Sequence, residues 1–191
     1  MVRSNNWLLL ATRHPPPATR QLPIANCQQP PTMPQPFRIL ILCTGNSARS
    51  QIAEALVHSL GRGRVEVASA GSHPAGVVNP LAVAVLREAG IEWQGRVPRS
   101  VEGLERERWD LVITVCDHAR DACPVFTHAR AAVHWGMEDP AAVSGAQEVQ
   151  LEAFRYTYRV LQRRVQALLG LSLASMSEGE LARDAQAIGD Q

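Results

Sequence analysis

The sequence lacks a dominant charge. Lys and Arg total 19 against 18 Asp and Glu, a formal net charge of +1. That balance removes any general electrostatic case for a nucleic-acid or acidic-membrane partner. The sequence also lacks an apolar run long enough to span a bilayer. Trp7-Leu8-Leu9-Leu10-Ala11 is too short for a signal-peptide core, and Pro15, Pro16 and Pro17 follow at once. Cysteine is scarce: Cys27, Cys43, Cys116 and Cys123 do not form a secreted disulfide scaffold, and they fit a reducing cytoplasm with reactive thiols. His58, His118 and His128 stand at no metal-ligand spacing from the cysteines, so no metal site is expected. What is present is a globular composition, 46% hydrophobic and 19% charged over 191 residues, enough for one domain with extensions.

Prolines crowd residues 1–35, with Gln, Asn and Thr between them. Such a stretch buries too little apolar surface to offset its ordering entropy, so a disordered extension is expected there. Met33 stands just before the first apolar run and is a candidate true start; Cys27 reads as an incidental thiol. From Phe37 onward apolar strands alternate with helical patterns. Strands are predicted at 37–43, 65–71, 110–115 and 131–135. Helices are predicted at 47–60, 80–89 and, briefly, 101–108. A last helix opens at Ser144-Gly145-Ala146-Gln147 with capping-box spacing. That helix carries a core stripe of Phe154, Tyr158, Leu161, Val165 and Leu168, while the basic stretch Arg155 to Arg164 is assigned to its solvated face. The polar residues 172–191 read as a flexible tail. The alternation implies an α/β fold over 36–171: one three-layer domain with a four-stranded parallel sheet and helices on both faces.

Ten residues carry the chemistry: Leu42-Cys43-Thr44-Gly45-Asn46-Ser47-Ala48-Arg49-Ser50-Gln51. A cysteine ending a strand, five residues of loop, then Arg-Ser opening a helix makes a cradle for a tetrahedral oxyanion. Thr44, Gly45, Asn46, Ser47 and Ala48 let backbone amides turn toward one point, and the helix N-terminus adds its partial positive charge. Arg49 adds a planar fork of donors. Cys43 stands in the same field, so the cradle also holds a nucleophile. The loop alone fits a phosphate ester and arsenate equally well. In a sheet of this kind ligands sit at the carboxyl ends of the strands, where Cys43, Cys116 and Asp139 are all expected.

Leu42–Gln51 followed by Ile52-Ala53-Glu54 resembles the phosphate-binding loop of the low-molecular-weight protein tyrosine phosphatases. It resembles more closely that of their relatives, the arsenate reductases coupled to thioredoxin or a similar thiol reductant. The resemblance runs through Ser69–Gly76, Val78-Asn79-Pro80, Arg99–Glu102, Val115-Cys116-Asp117, Cys123-Pro124-Val125 and His134–Pro140, covering roughly residues 37–170. The phosphatase branch follows Arg-Ser with Pro and Asp-Pro with tyrosines; here Gln51 and Ala141-Ala142 stand in those places. A reductase branch instead needs two further thiols, which Cys116 and Cys123 supply.

The resemblance implies a sequence of steps. Cys43 attacks arsenate, Asp139 protonates the departing oxygen, Cys116 attacks the Cys43 sulfur to release arsenite, and Cys123 then attacks Cys116. Both disulfides require the 116–123 segment to move. Ser50 is assigned to the Cys43 sulfur and Asn46 to the loop's shape; Arg99 is a candidate for closing the anion site, and His134 reads as structural. No bound cofactor is expected. Thioredoxin is the first choice of reductant, with glutaredoxin and glutathione or mycothiol as alternatives, and the chain is expected to be a cytoplasmic monomer. Two other readings are a phosphotyrosine or aryl-phosphate phosphatase working through a phosphocysteine, and a non-catalytic oxyanion-binding module of the same fold.

Overall fold

The computed structural model describes residues 35–117 and 125–191. The proline-rich extension with Cys27 and Met33, and Cys123 with its neighbours at 118–124, lie outside the described residues. No helix among the described residues is long and apolar enough to cross a membrane.

Four parallel strands form the sheet: β1 (Phe37–Cys43), β2 (Val65–Gly71), β3 (Trp109–Thr114) and β4 (Ala129–His134), in the order β2-β1-β3-β4. This is the parallel α/β sheet expected from the alternation of apolar runs and helical patterns. The chain goes from β1 to β2 on one side, then crosses back to place β3 on the other. The direction of winding therefore reverses between β1 and β3, which leaves a crevice at their carboxyl ends. Leu42 pairs with Thr114 across that boundary, and Val115 N–H donates to Leu42 O at 2.9 Å. Cys43 and Cys116 thus emerge side by side.

Alternation along β1 divides the core. Phe37, Ile39, Ile41 and Cys43 point into the larger cluster, with Leu111, Ile113, Ala131 and Val133. Helices α1 (Arg49–Gly61), α2 (Pro80–Glu88), α3 (Gln147–Leu169) and α4 (Glu178–Gly189) supply its other half. Leu40 and Leu42 point the other way, into a smaller cluster with Val101, Trp109 and Val112, beneath the 3₁₀ turn Leu104–Arg106. The stripe on α3 behaves as its spacing suggests: Phe154, Leu161, Val165 and Leu168 are buried, and Tyr158 packs at the edge.

Four expectations are corrected. The short helix at 101–108 is only the 3₁₀ turn. The 47–60 helix begins at Arg49, because Ser47 and Ala48 belong to the anion loop. The last long helix begins at Gln147 without a side-chain cap, since the chain still bends at 145–146 and Ser144 lies outside it. The expected flexible tail holds α4, whose Leu181, Ala185 and Ile188 are buried. A capping box closes its start: Ser177 Oγ accepts from Glu180 N–H at 3.4 Å, while Glu180 Oε2 accepts from Ser177 N–H at 2.9 Å.

The basic stretch of α3 is also divided, and not wholly solvated. Arg155 pairs with Glu88, Glu148 and Glu152 at the surface. Arg164 is buried and donates to Trp135 O at 3.2 Å, Gly136 O at 3.4 Å and Gly189 O at 2.6 Å. Desolvation holds this guanidinium below the ordinary arginine value. It joins α3, the end of β4 and the end of α4 at one point.

Candidate active site

The loop from Cys43 to Arg49 is turned inside out by the segment beside it. Ser72, His73, Ala75 and Asn79 N–H groups donate to the carbonyls of Cys43, Thr44, Gly45 and Ser47, at 3.3, 2.9, 2.9 and 2.8 Å. With four carbonyls satisfied on the outside, the loop's amides are directed inward. Helix α1 begins there with no side-chain cap and no acidic residue in its first turn. Its first N–H groups therefore remain available to an anion. The close approach depends on Gly71, which ends β2. A Cβ at that position would stand 2.5 Å from Thr44 O and 2.9 Å from Asn46 N.

Asn46 holds the loop in shape from a left-handed conformation, φ 46°, which asparagine tolerates better than most residues. It is fully buried, and all its polar atoms are engaged. Its backbone N–H donates to Cys43 Sγ at 3.1 Å. Its side-chain amide donates to Ser50 Oγ at 3.0 Å and Ser69 Oγ at 2.7 Å. Its Oδ1 accepts from Arg99 N–H at 2.8 Å and Gln51 Nε2 at 3.2 Å. Ser50 Oγ lies 2.9 Å from Cys43 Sγ. Ser50 Oγ accepts from Asn46 and still carries a hydrogen that it can donate to a sulfur anion. Cys43, 3% exposed, thus faces one backbone donor and one hydroxyl able to donate, an arrangement that can accommodate an anionic sulfur.

Behind Asn46 stands a layer that sequence reasoning misses. Ser69 Oγ donates to Glu54 Oε2 at 2.5 Å, and buried Glu54 lies 3.6 Å from Arg99 Nη2. Gln51, buried, donates to Asn46 O at 3.1 Å and accepts from Trp93 Nε1 at 2.8 Å. A proline at this position would have no side-chain donor for Asn46. Gln51 and Glu54, polar residues on the inner side of α1, are the one available signal, since such residues are seldom enclosed without partners. Arg99, a candidate for closing the anion site, is instead half-exposed and turned toward Glu54.

The remaining candidates converge on a cleft of about 660 Å³, lined among others by Cys43, Thr44, Arg49, Cys116, Asp117 and Asp139. Arg49 donates to Met137 O at 2.8 Å and pairs with Asp139 Oδ2 at 3.1 Å. Asp139 also caps the 3₁₀ turn Pro140–Ala142 by accepting Ala141 N–H at 3.1 Å. This turn brings small Ala142 to the cleft wall. Cys116, 2% exposed, is a free thiol 3.4 Å from Thr44 Oγ1. A larger cavity of about 880 Å³ lies against α3 and contains no cysteine among its lining residues. The chemistry selects the smaller one. Cys43, Arg49, Ser50, Cys116 and Asp139 are therefore brought together, whereas Cys123 lies outside the described residues.

The chain is similar to known proteins. An arsenate reductase of Halalkalibacterium halodurans is 37% identical over 127 residues, 66% of this chain and 91% of its own length. A glutaredoxin arsenate reductase of Synechocystis is 30% identical over 132 residues, 69% of this chain and 95% of its own length. The solved structure of an arsenate reductase in the phosphate binding state matches with a TM-score of 0.61 at 30% identity, covering 70% of this chain and 96% of that one. Residues 38–186 match the family model for low molecular weight phosphotyrosine protein phosphatase. That span runs from β1 into α4 and takes in the whole described cleft, so the chain belongs to the low molecular weight phosphotyrosine protein phosphatase family.

Proposed function

We propose that this chain is an arsenate reductase. The observation that carries the reading is the pair of buried free thiols, Cys43 and Cys116, lining one oxyanion cleft from adjacent strand ends. Hydrolysis of a phosphate ester requires only the first. The named relatives, one of them glutaredoxin-linked, support the same reading.

Arsenate enters the ring of inward amides with Arg49 on its equatorial oxygens. The Cys43 thiolate forms a bond to arsenic(V) and one oxygen leaves as water, taking its proton from Asp139. The Cys116 thiolate then forms a disulfide with Cys43. The sulfur–arsenic bond breaks and its electron pair goes to arsenic, which departs as arsenite. Cys123 attacks Cys116, frees Cys43 and leaves a Cys116–Cys123 disulfide. An external thiol reductant supplies the two electrons that reset that bond; thioredoxin is the first choice, and glutaredoxin with glutathione, or mycothiol, are the alternatives. The cycle needs reduced thiols at rest, which suits a reducing compartment such as the cytoplasm.

The test is arsenate-dependent NADPH oxidation by the full chain with thioredoxin and thioredoxin reductase, repeated with glutaredoxin and glutathione. Turnover that disappears in Cys116→Ser supports the relay. Absence of arsenate turnover with every reductant, combined with aryl-phosphate hydrolysis that Cys116→Ser leaves intact, would establish the phosphatase instead.

A further inference from the structure

The imidazole that ends β4 is engaged at both nitrogens. Thr114 Oγ1 lies 2.8 Å from His134 Nδ1, and Asp117 Oδ1 lies 2.9 Å from His134 Nε2. Thr114 ends β3, and Asp117 is the residue after Cys116. One ring therefore joins the chain on both sides of the buried thiol. An ionised carboxylate only accepts, so Nε2 carries a hydrogen. A neutral ring then accepts the Thr114 hydroxyl at Nδ1. A charged ring donates to Thr114 Oγ1 instead, and that hydroxyl can turn to Val133 O at 3.4 Å. The bracket is satisfied in either state.

The surroundings are built for this contact. A Cβ on Gly136 would stand 2.7 Å from His134 Nε2 and 3.3 Å from Asp117 Oδ1, so the pair passes over a residue without a side chain. The backbone of His134 is gripped from α4, where Gln186 Oε1 accepts its N–H at 2.9 Å and Gln186 Nε2 donates to its carbonyl at 3.0 Å. Trp135 Nε1 donates to Ala185 O at 2.8 Å beside it. Asp117, by contrast, has a side chain 78% exposed. Its contact with the ring is not a by-product of packing.

We infer that His134 is a positioning residue for the reductive step, holding the Cys116 thiol in the cleft through Asp117 while Cys43 carries arsenic. The inference rests on the arsenate reductase reading. In that step Cys116 attacks as the thiolate, its proton passing to an oxygen of the departing arsenite, while the Cys116–Cys43 bond forms, the Cys43–arsenic bond breaks and its electron pair leaves on arsenic. The imidazole exchanges neither an electron nor a proton with either sulfur. It supplies orientation, to which sulfur attack along a sulfur–arsenic axis is sensitive. If the pair were merely an exposed ion pair, its loss would change almost nothing.

The test uses the full chain carrying Cys123→Ser, so that the relay stops at its first disulfide. Reduced protein is mixed with arsenate, quenched with an alkylating agent, and the Cys43–Cys116 disulfide is followed by mass spectrometry. Asp117→Ala and His134→Ala are each expected to slow the maximal rate by about tenfold or more, with a much smaller change in the arsenate concentration giving half that rate. Asp117→Asn keeps an acceptor for the Nε2 hydrogen and is expected to stay close to the parent rate. The double alanine variant is expected to be no slower than the worse single one, because the two residues act as a unit. Asp117→Ala, at an exposed side chain, keeps the test valid if His134→Ala folds poorly. Parent-like rates in the alanine variants, or a loss in Asp117→Asn as large as in Asp117→Ala, overturn the inference. A parent protein that forms no Cys43–Cys116 disulfide with arsenate overturns the reductase reading beneath it, and the two failures are read from different samples.

Discussion

Cys43 and Cys116 are almost equally buried, 3% and 2% exposed, yet they are held in different ways. Around Cys43 every support is short and enclosed: Asn46 fully buried, Ser50 and Ser69 beside it, Gln51 and Glu54 behind. Around Cys116 the described supports are a 3.4 Å contact to Thr44 and a bracket through Asp117, whose side chain faces water. A nucleophile that must meet a tetrahedral anion gains from a site already arranged, since reorganisation at the moment of reaction raises the barrier. Under the proposed relay, Cys116 must first take Cys43 and then be taken by Cys123, and a sulfur with that task cannot be locked by a buried network. The difference in how the thiols are held matches the difference in what the proposed relay asks of them.

The largest effect should come from breaking each side at its sulfur. Cys43→Ser is expected to abolish arsenate turnover and aryl-phosphate hydrolysis together. Cys116→Ser should abolish only arsenate turnover, measured by NADPH oxidation beside release of an aryl alcohol. Equal loss of both activities in Cys116→Ser would show that the two sides are not functionally separate. Next in size is Arg49→Lys, which keeps the charge but loses the planar fork reaching both Met137 O and Asp139. Both activities should fall, on the order of 10²-fold or more, the usual loss when an oxyanion contact is removed.

A third variant tests whether the Cys43 side is as rigid as its contacts imply. Gly71→Ala would push a methyl into Thr44 O and Asn46 N, both backbone atoms that cannot swing aside. Destabilisation of about 1–3 kcal/mol is expected, as for other overpacked sites. It should appear as a lower denaturation midpoint together with slower alkylation of Cys43. Unchanged values would mean that the loop yields more easily than its hydrogen bonds suggest.

Much of this contrast is legible in the amino-acid sequence. The apolar runs 37–43 and 110–115 read as buried parallel strands, and Cys43, Arg49, Cys116 and Asp139 stand at positions that strand ends bring together. The layer behind the loop is not legible, because its pairs are distant in sequence. Trp93 meets Gln51 across 42 residues, and Ser69 meets Glu54 across 15. Nothing in a linear pattern says which buried polar residues will find each other. Arg164 is hidden for a related reason: it sits among exposed arginines on α3 but reaches carbonyls of β4's end and α4. The case of α4 differs. Ser177 and Glu180 have capping-box spacing, and Leu181, Ala185 and Ile188 follow at helical steps. The signal is present there, but a polar and acidic composition that suggests a loose end outweighs it.

The smallest expected effect probes whether the Cys116 side depends on that helix. Gln186 of α4 grips His134 from both sides of its peptide, so loosening α4 should reach the bracket and leave the Asn46 network untouched. Ser177→Ala removes the side-chain cap and is expected to lower stability by about 1 kcal/mol. Hydrogen exchange should quicken at amides of α4 and at His134 while those of Asn46 and Ser50 stay protected. Acid should do the same reversibly. The bonds from Ser177 hold the Glu180 carboxyl below the ordinary glutamate value. Its contribution is therefore fully present above that ordinary value and is lost as pH falls through the depressed one. In Glu180→Gln this pH-dependent part should vanish, leaving the protection of α4 amides relative to their intrinsic exchange flat across the acidic window where the parent's falls. If instead the Asn46 and Ser50 amides quicken together with α4, the two thiols share one cooperative support, and the contrast between their surroundings carries no dynamic meaning.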